Sequence, residues 1–412
     1  MGKLSFNYIF KRKIHENSVK LLLVKIFTKI KGINYKKSII YLVSFVICFL
    51  IISISIYFFV KQNRTITSLQ NSLNLKNEEL LNITSKDPYK VNKELQEEIE
   101  NIQGEYLKTV NVYEELIYYK ENTKKLDDLD NLFAQTLNYL SEKNYSSASA
   151  TLDILSQKIK TEQSKTANAF VIPKDISSSN NPPSSGYSRQ NVQTDIGSFM
   201  VSIIAADISN TKIIVDTASD SDCSNECSAM SLSSFISRNG AFAGVNGSYF
   251  CPVSYPTCAG KTNSFDTLLM NKNKIYFNSS NNVYSTNPAV IFGSGYIRFV
   301  KQSQEWGRDT SIDSMISNYP LLVFNSDIQF SGDGDAKKGS KGARSFIANK
   351  GNFAFIGVVH NATVAESAHV MKSLGMENAL NLDNGGSTAL WSGGYKVGPG
   401  RDIPNAILFV RK

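Results

Sequence analysis

The chain has 412 residues, more than one domain usually holds, with 42% hydrophobic and 19% charged residues and a formal net charge of +8. The charge is concentrated: residues 1–37 hold ten Lys/Arg against one acid, Glu16, which leaves −1 on the remaining 375 residues. A nearly neutral body excludes a nucleic-acid-binding surface, and the composition fits a globular protein that also carries a membrane segment.

Directly after the basic segment, Ser38 to Val60 runs 23 residues without a charge and is closed by Lys61. At about 1.5 Å per residue this spans a hydrocarbon core of roughly 30 Å with some tilt. A cleaved signal peptide fits less well, because the apolar run is long, the basic region is extended and no Ala-x-Ala site follows. The excess of Lys/Arg before the span predicts that residues 1–37 stay in the cytoplasm and that the chain after Lys61 is extracellular. Val19 to Ile30 mixes apolar residues with Lys20, Lys25 and Lys29, a pattern suited to lying on anionic lipid.

Residues 62–165 are polar, poor in glycine and helical in pattern. Leu69, Leu73 and Leu80 mark a first segment that Pro88 interrupts. Val91, Leu95, Ile99, Ile102, Tyr106, Val110, Tyr113 and Leu116 then recur at spacings of three and four. Further stripes pass through Leu126, Leu129, Phe133, Leu137 and Leu140, and through Ala148, Leu152, Leu155 and Ile159. One such unit resembles half of a tetratricopeptide repeat, too little for an array. The pattern predicts a helical hairpin or coiled-coil stalk that spaces the next domain from the membrane, with homo-oligomerisation through 62–165 as the second reading. Residues 166–192, with Ser177 to Gly186 rich in Ser, Asn and Pro, read as a flexible linker.

From 193 to 412 short strand patterns dominate, with helices expected at Met230–Arg238 and Val364–Leu374. The fold class read from this is α+β, a mixed-sheet α/β domain with one substantial core. Cys223, Cys227, Cys251 and Cys258 fall within 36 residues, an even, clustered set that predicts two disulfides in an extracellular domain. The local pairs are favoured. A zinc site is the rival reading, with C-x3-C and C-x6-C spacings, the second loose for a knuckle.

Four segments carry candidate chemistry. Asn246-Gly247-Ser248-Tyr249-Phe250 follows a strand pattern at a tight turn. Arg344, beside Gly342 and Ser345, has a fork suited to phosphate or carboxylate oxygens. His360 stands at a strand end before Thr363-x-x-Glu366, a capping box that makes Glu366 a helix cap. Arg401 sits in a loop constrained by Gly398, Pro399, Gly400 and Pro404. The centre of the domain is Asn381-Leu382-Asp383-Asn384-Gly385-Gly386-Ser387, a buried strand that delivers one carboxylate to a Gly-Gly turn whose N–H groups can approach an anion.

Together these motifs resemble the phosphodiester glycosidase family, over roughly 195–412 and most closely from Arg344 onward. Asn246 to Phe250 match its Asn-Gly-x-aromatic-Phe motif, Arg344 its arginine before a strand, and Asn381 to Ser387 its Asn-Leu-Asp-Gly-Gly-Gly-Ser. Arg401 to Asn405 match its closing Arg and final Asn-containing strand. The resemblance implies a glycosidase acting on sugar–phosphate diesters, with relatives among bacterial exopolysaccharide-associated proteins. Two departures stand out: Asn384 replaces the first glycine of the triple, where its tolerance of positive φ is expected to preserve the turn, and His360-Asn361 replaces an Asp-Gly-Arg.

A glycosyl phosphodiester already has a good leaving group, so one carboxylate and phosphate-holding cations suffice. The expected roles are Asp383 as base or nucleophile and Arg344 with Arg401 as phosphate clamps. The N–H groups of Gly385, Gly386 and Ser387 add donors, and His360 serves as proton shuttle or sugar-hydroxyl partner. No cofactor is implied, although Asp266, Asp383 and backbone carbonyls together have the chemistry for Ca²⁺. The competing classes are a non-catalytic domain binding anionic cell-wall glycan, which needs no Asp383, and a structural surface protein assembling through residues 62–165.

Overall fold

The computed structural model describes residues 35–84, 87–123, 127–279 and 285–412. The basic segment up to residue 34 lies outside them. The chain divides into two compact units, Met1–Glu97 and Glu98–Lys412.

In the first unit, helix α1 runs unbroken through Tyr35–Thr84, about 75 Å at 1.5 Å per residue. From Leu42 on it is long and apolar enough to cross a membrane, by length and composition. Helix α2, Asp87–Asn122, starts where Pro88 predicts a break, because proline is accommodated in a helix's first turn. Val91 and Leu95, expected on an apolar stripe, are exposed.

The second unit begins with a helical cluster. The end of α2 packs with α3, Asp127–Ser141, and α4, Tyr145–Ala169, around Val112, Leu116, Leu129, Leu152, Leu155 and Ile159. The predicted hairpin is therefore a three-helix cluster, and α4 opens with Asn144 accepting from the Ser147 N–H at 3.1 Å.

The expected flexible linker is a correction. Residues 178–181 lie against the strand Gly186–Thr194: Ser179 N–H donates to Asn191 O at 2.9 Å and the Gln190 amide to Ser179 O at 2.8 Å. Ser and Asn, read as low complexity, here supply hydrogen bonds along a sheet edge.

The α+β class is borne out, and among the described residues the strands form three sheets whose ladders are antiparallel. Sheet I takes the order 186–194, 197–207, 353–362, 342–350, 378–381, 321–324 and 327–328. Sheet II takes the order 395–397, 390–392, 243–246, 405–411 and 211–217. Sheet III takes the order 276–277, 269–270, 314–317, 289–293 and 296–300. One core joins all three through Ile204, Ile356 and Leu380, Val245 and Ile407, and Val290 and Ile316.

The opposite faces of sheets I and II are covered by single helices. Helix α5, Leu232–Asn239, lays Leu232, Phe235 and Ile236 on sheet II and ends at Gly240 with φ +58°. A one-turn helix, α6, spans Ala336–Gly339. Helix α7, Val364–Ser373, covers sheet I with Val364, Ala368, Val370 and Met371, and starts at the expected Thr363–Glu366 capping box. Both favoured disulfides, Cys223–Cys227 and Cys251–Cys258, are formed.

Candidate active site

The strand Asn378–Asn381 lies inside sheet I, and Leu382, fully buried, anchors the chain just beyond it. Asp383 is fixed by its backbone. Its N–H donates to Gly247 O at 2.9 Å, and its carbonyl accepts from the Asn246 amide at 2.7 Å. The other end of the Asn246 side chain accepts from the Ser345 hydroxyl at 2.8 Å and the Ala389 N–H at 3.1 Å. Asn246 and Gly247 thus clamp the catalytic candidate in place. A Cβ at Gly247 would overlap the Asn405 side-chain oxygen, the same oxygen that accepts from the Ser248 N–H at 2.9 Å.

The turn after Asp383 corrects one expectation. Asn384 has φ −128°, an extended backbone, and Gly385 carries the positive φ of +63°. Asn384 uses its side chain instead. Its oxygen accepts from the Ser345 N–H at 2.9 Å and its amide donates to the Asn381 oxygen at 3.1 Å, which closes the turn onto sheet I. Tyr249 receives the Asn381 amide on its hydroxyl at 2.7 Å, and burial holds its phenol protonated.

Asp383 opens into a cavity of about 280 Å³ lined also by Tyr249, Tyr255, Asp266, Tyr319, Lys337, Arg344, Asn384, Ser387 and Arg401. Burial pushes the Asp383 carboxyl up to about 6, and the Ser387 hydroxyl, Arg401 and the Asn384 N–H, 2.8 Å from its Oδ1, offset only part of that. Asp266 adds to the rise and is itself raised by burial, so two carboxyls share one cavity. An acid poised near neutrality can give or take a proton. A larger cavity, about 760 Å³, lies along α4 and residues 330–341 and holds neither Asp383 nor Arg401.

Arg344 is 2% exposed. Its guanidinium donates to Ala362 O at 2.9 Å, Lys337 O at 3.0 Å, Ser340 O and the Tyr118 hydroxyl at 3.3 Å. Its Nε and Nη2 are committed to backbone carbonyls and brace the cavity wall, while Nη1 meets the Tyr118 hydroxyl on a residue that still lines the cavity. Arg401 also has donors to spare. Its Nη2 pairs with Glu121, its Nη1 lies 3.5 Å from the Ser254 hydroxyl, and its Nε is buried without a partner among the described residues.

His360 does not join the cavity. It stands on the strand Phe353–Ala362, its Nε2 2.9 Å from the Ser202 hydroxyl, and burial with Arg189 nearby holds it down to about 4. A neutral, hydrogen-bonded imidazole inside sheet I is a packing element. The expectation failed because a strand end in sequence does not tell which face a side chain takes.

Several residues at the site gave no sequence signal of their own. Ser254, Tyr255 and Thr257 lie in the loop clipped by Cys251–Cys258, and Lys337 comes from α6. The Tyr255 ring sits between two cations, 4.4 Å from Lys337 Nζ and 5.7 Å from the Arg401 guanidinium. Glu114, Tyr118 and Glu121 arrive from α2, more than a hundred residues earlier in the chain. Among the described residues no group of three or more His, Cys, Asp or Glu is placed to hold a metal ion.

Residues 239–410 match the phosphodiester glycosidase family. The match takes in the Asn246–Asp383 clamp, the Gly385–Gly386 turn and Arg401, the parts that the family resemblance in the sequence pointed to. Several solved structures are similar, two of them as follows. A hypothetical protein from Synechocystis is 13% identical, with a TM-score of 0.40 over 55% of this chain, which spans 62% of that protein. The zebrafish N-acetylglucosamine-1-phosphodiester alpha-N-acetylglucosaminidase catalytic domain, auto-inhibited by its pro-peptide, is 15% identical, with a TM-score of 0.44 over 57% of this chain and 87% of that one. No curated protein matches the chain.

Proposed function

We propose that this chain is a membrane-anchored hydrolase whose extracellular domain cleaves a sugar-1-phosphodiester bond in a surface glycan or exopolysaccharide. The observation that carries the reading is Asp383, raised to about 6, in one cavity with an arginine that has unspent donors, inside a region matching phosphodiester glycosidases. Asp383 acts at the anomeric carbon as base or nucleophile, and Asp266 is the second carboxyl of the pair on which glycoside hydrolysis ordinarily draws. Arg401 holds the phosphate oxygens, which lowers the cost of charge on the departing phosphate. Tyr249 and Asn384 wall the sugar side of the cavity. Anchoring rests on α1, and an extracellular location on the two disulfides and the basic segment before the span.

Incubating the purified full-length protein with a panel of sugar-1-phosphodiesters tests the reading. Release of reducing sugar with appearance of a phosphomonoester is expected for at least one member. Binding of anionic glycans without turnover of any would replace the hydrolase by a glycan-binding domain.

A further inference from the structure

Glu114, Tyr118 and Glu121 lie four and three residues apart, on one face of α2. Each meets a polar group at the Asp383 cavity. Glu121 pairs with Arg401 and accepts from the Ser254 hydroxyl at 3.4 Å. Glu114 accepts from the Thr257 N–H at 3.1 Å and the Thr257 hydroxyl, and lies 3.6 Å from Lys337 Nζ. Tyr118 meets Arg344. Glu114 is 7% exposed and the Glu121 side chain 22%. Carboxylates so placed lose hydration and need this many partners to be tolerated.

We propose that Arg401, Ser254, Thr257 and Lys337 form the phosphate-binding subsite of this cavity, and that Glu121 and Glu114 occupy it as an internal stand-in for the phosphate. The inference rests on the cavity being a sugar-phosphodiester site and adds which residues grip the anion. Carboxylate and phosphate oxygens use the same donors: a guanidinium fork, hydroxyls and a backbone N–H. Glu121 leaves one donor unused, the buried Arg401 Nε, which a third phosphate oxygen can take. Gly386 keeps the place open. A Cβ there would come within 2.8 Å of Glu121 Oε2 and against Arg401 Nη2, so the turn beside Asp383 packs directly against the Glu121–Arg401 pair and leaves no place for a side chain. Burial raises Glu121 in spite of Arg401, so the helix holds this position at a cost that an incoming phosphate removes. Substrate entry then requires α2 to release the subsite, and the site's apparent affinity falls by the fraction of time it is free.

The test is calorimetric titration of the full-length protein in detergent with inorganic phosphate, for wild type, Glu121→Gln, Glu114→Gln and the control Glu115→Gln. Glu115 lies on the same helix and accepts instead from the Ser156 hydroxyl at 2.9 Å, away from the cavity. Phosphate is expected to bind Glu121→Gln about tenfold or more tighter than wild type, Glu114→Gln tighter as well, and Glu115→Gln like wild type. Hydrogen exchange of residues 110–122 in wild type is expected to quicken at saturating phosphate, a readout independent of any variant's folding. Equal or weaker binding by Glu121→Gln, or unchanged exchange under phosphate, would overturn the proposal and make Glu121 a strut that orients Arg401. Binding is read without turnover. An inactive protein that behaves as expected here retires the hydrolase reading alone, and an active one that does not retires the subsite alone.

Discussion

The side-chain amide of Asn246 donates to the carbonyl oxygen of Asp383 at 2.7 Å and so joins two segments 137 residues apart in the chain. Because Asn246 is fully buried and spends its oxygen on Ser345 and Ala389, the position of Asp383 is set by a satisfied polar network rather than by a loop. Asn246→Ala leaves the Ser345 hydroxyl and the Ala389 N–H without their acceptor. It should cost about 2–4 kcal/mol in denaturant unfolding and lower turnover more than substrate binding.

Gly247→Ala and Gly385→Ala separate two uses of glycine. The Gly385 substitution forces alanine to φ +63°, a strain of about 1–2 kcal/mol read as a modest loss in denaturation midpoint. The Gly247 substitution drives a Cβ into Asn405 and displaces the carbonyl that receives the Asp383 N–H, and should cost more in both stability and turnover.

These contacts mark how far the sequence could be read. The strand-dominated pattern read from 193 onward is borne out in the sheets, as are both disulfides and the Thr363–Glu366 cap, because alternation, cysteine spacing and capping residues are local signals. The motifs at Asn246, Asp383 and Arg401 meet in one region as their resemblance implied. What local signals do not carry is the partner. Arg344, expected as an anion clamp, spends its Nε and Nη2 on the carbonyls of Ala362, Lys337 and Ser340, which no local pattern announces. His360 faces Ser202 across a strand pair, and Glu121 reaches Arg401 over 280 residues of chain.

Arg344→Lys tests the bracing role. Lysine keeps the charge but cannot span Ala362, Ser340 and Tyr118 together, so buried carbonyls lose their donors. The expected result is destabilisation by about 3 kcal/mol, seen in equilibrium unfolding, with substrate affinity in the surviving fraction little changed.

The raised Asp383 carboxyl makes a stability prediction with a definite sign. Its folded value of about 6 lies above the ordinary 3.8, so the folded state holds the proton more tightly and stability is lost as pH rises from about 4 through 6. At about 1.4 kcal/mol per tenfold difference in proton affinity, the penalty at pH 7 is on the order of 3 kcal/mol. Asp383→Asn should therefore melt above wild type at pH 7, and the difference should close at pH 4, in thermal unfolding at the two values.

The pH dependence of kcat/KM should show one acid limb near pH 6, where Asp383 takes its proton, and no second limb from His360, which is already neutral above about 4. His360→Gln should leave that profile in place, because the imidazole is bonded to Ser202 outside the cavity.

The most direct measurement is release of reducing sugar from a sugar-1-phosphodiester by wild type and by Asp383→Asn, both checked for folding. The account predicts turnover by wild type and its loss by at least about a thousandfold in Asp383→Asn, a folded protein that still binds the diester. Undiminished turnover by Asp383→Asn would contradict it.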